Sequence, residues 1–382
     1  MARLAVETGG KSYKTFKYSL DNDERPSIDY EDNKIVWRSY GETEHFTNYY
    51  SLEARARELL VVNENLLTYF LDGTRRVYKV DDIAYNFSSN RTAMYPVVAG
   101  QIGVACTKRI ERNLTPAKIE HELVISLPDI ADSDGINGYF YALTQKLNDL
   151  TVINKAHVKI STIIPYSTTQ NNISFIEKGI ACIQEHMIKH EKAMVAALVR
   201  QGKLNQDNYL VKDGSLEYRP TPEDRNNPRK LMNFRQNYNW VIGVSKSFNP
   251  NLCLDANGRA NPKFIADLPY LHRTPAAKYS NPEWFGDTEF AVWYVRIRPK
   301  ERTKTAFDGI VKVEKMLVKE KELNHGMDSD DVNTISANII NMRMPVCYGS
   351  DSRWTNHLYP IFLTEEYLKS KYLSTEAFLH LF

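Results

Sequence analysis

Cysteine, charge of one sign and long apolar runs are all scarce in this chain of 382 residues. The four cysteines, Cys106, Cys182, Cys253 and Cys347, lie far apart. That spacing fits neither a zinc-ligand cluster nor the disulfide framework of a small secreted domain, and it predicts a reducing, cytoplasmic setting. Lys and Arg number 49 and Asp and Glu 47, a net charge of +2. This excludes a polycation of histone type and confines any nucleic-acid contact to local basic clusters. There is no apolar run of about 18 residues, so no membrane-spanning helix is expected. The opening MARLAVETGGKSYK lacks the apolar stretch of a signal peptide. With 42% apolar and 25% charged residues, the chain has the composition of a soluble globular protein and not of a disordered one.

Residues 1–50 are polar and irregular, with short strand-like pieces such as Lys34–Arg38, and read as an N-terminal extension. Residues 51–382 read as one large domain. Ser51–Val62 predicts a helix with Ser51 as its N-cap. Leu66–Leu71, Val77–Ala84, Tyr95–Cys106 and Glu122–Leu127 read as successive extended segments, a meander. Residues 128–172 read as an insertion with a helix near Gly138–Leu150 and a strand near Ala156–Pro165. A long helix follows over Ile173–Arg200. Strands are expected at Tyr209–Arg219, Trp240–Phe248, Phe290–Arg298 and Gly309–Val318, helices at Asp330–Met342 and Leu363–Tyr372, and a long loop over 249–281.

Two strands end in nearly the same way: Tyr69-Phe70-Leu71-Asp72-Gly73-Thr74-Arg75 and Tyr209-Leu210-Val211-Lys212-Asp213-Gly214-Ser215-Leu216. Each delivers an Asp, a Gly and a hydroxyl residue. Asp-Gly is a common turn, but an Asp held at the end of a central strand is also a rigid ligand, and two on neighbouring strands can share a divalent cation. The long helix adds a third carboxylate. Its apolar stripe runs Ile176, Ile180, Ile183, Met187, Met194, Leu198, and the position that fills the gap is Glu191. A carboxylate on a core-facing stripe needs a metal, a basic partner or a route to water. Glu185, off the stripe, pairs with Lys189 one turn on. His186 and His190 are also one turn apart, a spacing that can bind zinc, but no third ligand is identifiable from the sequence. Gly9-Gly10-Lys11-Ser12 lacks the first glycine of a phosphate-binding loop, Gly100-Gln101-Ile102-Gly103 lacks the third glycine of a dinucleotide fold, and there is no serine-hydrolase elbow.

The order of strand-Asp72-Gly73-Thr74-Arg75, strands, helix with Glu191, strand-Asp213-Gly214-Ser215-Leu216 and Val241-Ile242-Gly243-Val244-Ser245-Lys246 resembles the NurA nucleases. Tyr359-Pro360 before a helix is similar to their C-terminal region. The resemblance spans about residues 66–372, with the 128–172 segment interrupting it. It implies an α/β fold with an RNase H-like mixed β-sheet flanked by helices, carrying an N-terminal extension and insertions. It further implies a Mn²⁺- or Mg²⁺-dependent deoxyribonuclease whose metal is held by Asp72, Glu191 and Asp213. The family's Ala-His pair in the last helix is replaced, which puts the fourth catalytic position on Glu366, with Glu365 and His357 as alternatives. Arg75 and Lys246 are expected to contact phosphate, and Arg75-Arg76, Lys108-Arg109 with Arg112, Arg225 with Arg229-Lys230, and Arg296 through Lys304 are possible parts of a phosphate track or simply solvated faces. The implied partners are DNA, a second copy of the chain and a HerA-type ring ATPase, in DNA repair or phage defence, without a membrane. A catalytically inactive nucleic-acid-binding or assembly subunit of the same fold is the alternative.

Overall fold

The computed structural model describes residues 36–38, 40–45, 48–88, 91–132, 135, 137–170, 172–216, 227–255, 259–280, 288–342, 344 and 355–382. Residues 1–35, Arg225 and Cys347 lie outside this set, and with them most of the N-terminal extension. The fold is α/β, a mixed β-sheet flanked by helices. Among the described residues no helix is long and apolar enough to cross a membrane. The chain divides into two compact units that interleave in sequence: residues 1–70 with 198–362, and residues 71–197 with 363–382.

In the first unit the strand order is β1 (Val36–Arg38), β10 (Ala277–Ser280), β11 (Glu289–Arg296), β12 (Ile310–Met316), β8 (Val241–Ser245), β7 (Tyr209–Asp213) and the opening residues of β3 (Leu67–Ser88). β7 and β8 are parallel, whereas β8, β12, β11, β10 and β1 pair antiparallel. β11 and β12 are buried along almost their whole length; the run of apolar residues in β11 requires it, while in β12 the buried Lys312, Glu314 and Lys315 are paired. Helix α1 (Glu42–His45) precedes β2 (Tyr50–Ser51), and α2 (Glu53–Val62) follows it. Ser51 is not the cap of α2. It pairs with His272 of β9 (His272–Arg273), which leaves Leu52 at the N-cap with no side-chain hydrogen bond.

Residues 249–281, which read as a loop from their Pro, Asn and Asp content, contain a turn of 3₁₀-helix at Pro250–Leu252, a short helix at Pro262–Ala266, β9 and β10. Cys253, Ile265 and Leu268 pack with Tyr294 and Ile310, and Arg296 supplies the polar part of the anchoring. Its side chain is fully buried, and it does not join a phosphate track. Its Nε donates to Leu268 O at 2.6 Å and its two terminal nitrogens donate to Asp308 O (3.2 Å), Ala266 O (3.2 Å) and Ala306 O (2.9 Å). Burial lowers its pKa to about 10, so it remains charged at neutral pH and its donors organise two polar segments at once. Arg273, also fully buried, makes a two-pronged pair with Glu42 at 2.7 Å on each arm.

In the second unit β3 continues from Leu71 beside β4 (Arg91–Ile110), β5 (Asn113–Pro128) and β6 (Ile160–Tyr166). The four extended segments of the sequence reading are thus three long strands. β4 and β5 pair antiparallel and β6 lies parallel to β5, so the 128–172 segment supplies the edge strand of this sheet. It reaches that edge through α3 (Tyr139–Asn148) and α4 (Thr151–Lys155). Helix α5 (Phe175–Arg200) covers one face. There a Cβ on Gly179 would lie 2.9 Å from Val98 Cγ2, and one on Gly100 would lie 3.6 Å from Ile183 Cδ1. α10 (Tyr359–Lys369) and α11 (Thr375–Leu379) reach the other face, where Leu368 packs on Gly103 and Phe378 joins Ala99, Ile125 and Ile163. Successive side chains of β4 alternate between these two helical layers.

Replacing Arg296 with Met removes a donor from four carbonyls, three of them buried, and a loss on the order of 3 kcal/mol is expected. Arg296→Lys should recover only part of it, because an ammonium cannot span the four acceptors. Chemical denaturation measures this, and an unchanged midpoint for Arg296→Met would remove the pinning role.

Candidate functional site

The second unit carries three of the predicted carboxylates. Asp72 lies in β3 and is 4% exposed. One oxygen of Asp72 and one of Glu365, on α10, lie within 4.8 Å of each other. Glu191 is likewise 4% exposed, so the carboxylate on the α5 stripe is buried as the periodicity implies. It reaches β3 one residue beyond Asp72, because a Cβ built on Gly73 would run into Glu191 Oε1 and would lie only 3.1 Å from its Cδ. The missing side chain of Gly73 is therefore the space that the Glu191 head occupies. Alternation along β3 turns Thr74 the other way, toward α10. There its hydroxyl meets Tyr372 OH at 2.5 Å, while Tyr372 OH donates to Thr74 O at 2.8 Å. Burial, with the charge of Asp72 adding to it, pushes the Tyr372 phenol up to about 12, so it stays protonated.

Glu365 and Glu366 are separated by one helical step and differ in surroundings. The Glu365 side chain is 18% exposed, and its head lies 2.7 Å from Lys369 Nζ. The Glu366 side chain is 53% exposed, 3.7 Å from the same ammonium. The sequence signal that separates them is the one that found Glu191: Ile361, Thr364 and Leu368 are buried at helical spacing, and Glu365 lies on that stripe while Glu366 is a step off it. Arg75 is exposed and its Nε donates to Gln184 Oε1 of α5. Glu185 and Lys189 form the expected solvated pair at 3.1 Å.

The first unit carries Asp213, Lys246 and His357. Lys246 Nζ lies 2.9 Å from Asp213 Oδ2 and 2.8 Å from His357 Nε2. Asp213 Oδ1 is buried and accepts no hydrogen bond among the described residues. The Asp-Gly-Ser turn is fixed by several contacts. Gly214 has a φ of +82°, Gly214 N donates to Val244 O at 3.0 Å, and Lys212 Nζ donates to Asp213 O (2.9 Å) and Ser215 O (3.2 Å). Glu314, a residue the sequence reading passes over, anchors it from β12: Oε2 accepts from Ser215 Oγ and Leu216 N, both at 2.8 Å. The Ser215 hydroxyl is thus occupied in holding the turn. Gly243 is needed because a Cβ there would lie 2.8 Å from Gly214 O.

Asp72 and Glu365 offer oxygen donors only, which fits a hard divalent cation and not a thiolate-preferring metal, while Glu191 lies behind Gly73. The Lys369 ammonium offsets the charge of Glu365, and a cation between the two carboxylates would offset that of Asp72 as well. No protein family and no curated protein matches the chain. Among solved structures it is similar to the crystal structure of the NurA nuclease from Sulfolobus solfataricus, with 11% identity over 87% of this chain and 84% of that one and a TM-score of 0.41.

Gly73→Ala should leave the strand intact yet crowd the Glu191 carboxylate, at a cost of about 1–3 kcal/mol. Adding Glu191→Ala should return most of that loss. A thermal double-mutant cycle reads the coupling, and strictly additive effects would mean that the two residues do not share this space.

Proposed function

We propose that this chain is a divalent-cation-dependent deoxyribonuclease that hydrolyses phosphodiester bonds at DNA ends. The observation that carries the reading is the approach of the Asp72 and Glu365 oxygens within 4.8 Å at an Asp-Gly pair whose Asp is buried and which lies inside β3, not at its end as the sequence suggests. Asp72 and Glu365 would hold Mn²⁺ or Mg²⁺, with Glu191 as the buried carboxylate on the far side of Gly73. The resemblance of the second Asp-Gly motif to the first assigns Asp213 to the same reaction. When bound, the cation supplies Lewis-acid activation of a water nucleophile and neutralises charge on the leaving 3′ oxygen. Lys246 neutralises Asp213 when no metal competes for it. If Asp213 held the cation, the Lys246 ammonium would be available to a DNA phosphate, and exposed Arg75 offers another phosphate contact. Following the resemblance, the enzyme works as a homodimer with a HerA-type ring ATPase in repair or phage defence, in the cytoplasm.

The Asp213–Lys246 ion pair at 2.9 Å also favours a second reading. A lysine that neutralises the acid in place of a metal is what a nucleic-acid-binding or assembly subunit without catalysis would retain.

Digestion of linear DNA with Mn²⁺ by the full chain separates the two. The nuclease reading expects metal-dependent degradation that falls by about a hundredfold or more in Asp72→Asn and Asp213→Ala. It also expects Glu365→Gln to cost more than Glu366→Gln. DNA binding without cleavage at any Mn²⁺ concentration, with and without a ring-ATPase partner, would favour the second reading and end the first.

A further inference from the structure

His186 and His190, which no carboxylate motif explains, lie on α5 over β5, on the face of the second unit's sheet opposite α10. Two residues of β5 meet them. His186 Nε2 is 3.0 Å from Glu122 Oε2, His190 Nε2 is 3.5 Å from Glu122 Oε1, and the two Nε2 atoms are 3.3 Å apart. His190 Nδ1 is 2.7 Å from Glu120 Oε2. Glu120 and Glu122 are two apart on a strand and so share a face, as the histidines share a helix face one turn apart. All four side chains are about a quarter exposed.

From these contacts we infer a second metal site, distinct in chemistry from the all-oxygen group at Asp72: a zinc site with His186 Nε2, His190 Nε2 and a Glu122 oxygen as ligands. Three features carry it. First, the two Nε2 atoms are 3.3 Å apart, close to the edge of a zinc tetrahedron (about 3.3 Å for ligand bonds near 2.0 Å), and one atom of each of Glu122, His186 and His190 lies within 4.8 Å of the others. Second, Glu120 accepts the Nδ1 proton of His190, and this leaves Nε2 with its lone pair facing the other two donors. A carboxylate behind a ligating imidazole is the usual outer support of such a metal. Third, two imidazoles with one carboxylate form a nitrogen-rich set that prefers zinc to magnesium. The partial exposure leaves the fourth position to water. The sequence offered the His pair but not its third ligand. That ligand is on a strand more than sixty residues away, and only the packing of α5 on β5 brings it in.

The test uses the full chain, stripped of metal and titrated with Zn²⁺ by calorimetry and with Co²⁺ by visible absorption. The expected result is one equivalent bound with the intense visible bands of tetrahedral Co²⁺ in the wild type and in Asp72→Asn, and no such bands in His186→Gln/His190→Gln. Glu120→Gln, which leaves all three ligands in place but weakens the acceptor behind His190, should weaken zinc binding by about 10- to 100-fold. This graded effect remains readable if the double variant folds poorly. Wild-type spectra without tetrahedral bands, or equal uptake by wild type and the double variant, would overturn the site and leave the four residues as an ordinary ion-pair network.

Discussion

The close approach of α5 to β4 is the constraint on which the second unit depends. Gly179 lets the helix come to within contact of Val98, and Gly100 accepts Ile183 from the helix side. Once that distance is set, the helical period decides the rest. Ile183, Met187 and Met194 fall on the core side, Glu191 falls against Gly73, and His186 and His190 fall over Glu122 and Glu120. A helix held farther off would leave Glu191 in water and open the histidine cluster. One packing distance therefore sets two chemically different groups of side chains.

Buried charge is the recurring cost in both units, and it is met in different ways. Arg296 is satisfied by backbone carbonyls, Arg273 by the Glu42 carboxylate, and Lys315 by both oxygens of Glu322 at 3.0 and 3.1 Å. Such arrangements add little net stability over apolar packing, but losing one partner strands the other. They tie loops to the sheet in the first unit, where Cys253, Ile265 and Leu268 of the 249–281 segment also pack into an apolar cluster. The acids of the second unit meet partly exposed partners instead, Glu365 the ammonium of Lys369 and Glu122 the imidazole of His186.

Period and position explain what could be read in advance. Glu191 was legible because a carboxylate interrupted a counted stripe, and the strands at 209–213, 241–245, 289–296 and 310–316 were legible from their apolar runs. Glu365 was not separated from Glu366, although Ile361, Thr364 and Leu368 mark its face, because the helix there is short and its stripe carries a threonine. Glu314 and Glu122 were invisible for another reason. A single carboxylate on a strand reads as a solvent-facing residue, and only the partner element shows that it faces inward. Arg296 looked like part of a basic surface because it sits in a run of cations, whereas its place on a fully buried strand decides its role.

The interleaving of the two units along the chain has a consequence for biosynthesis. Neither unit is a contiguous stretch: the first needs residues on both sides of 71–197, and the second needs 363–382. A nascent chain leaving the ribosome therefore cannot finish the second unit until residues 363–382 have followed the whole of 198–362. Its pairings span long sequence separations, which slows folding. Glu365 and Tyr372 are made long after Asp72 and Glu191, so a product clipped between them carries Asp72 without the α10 carboxylate that approaches it.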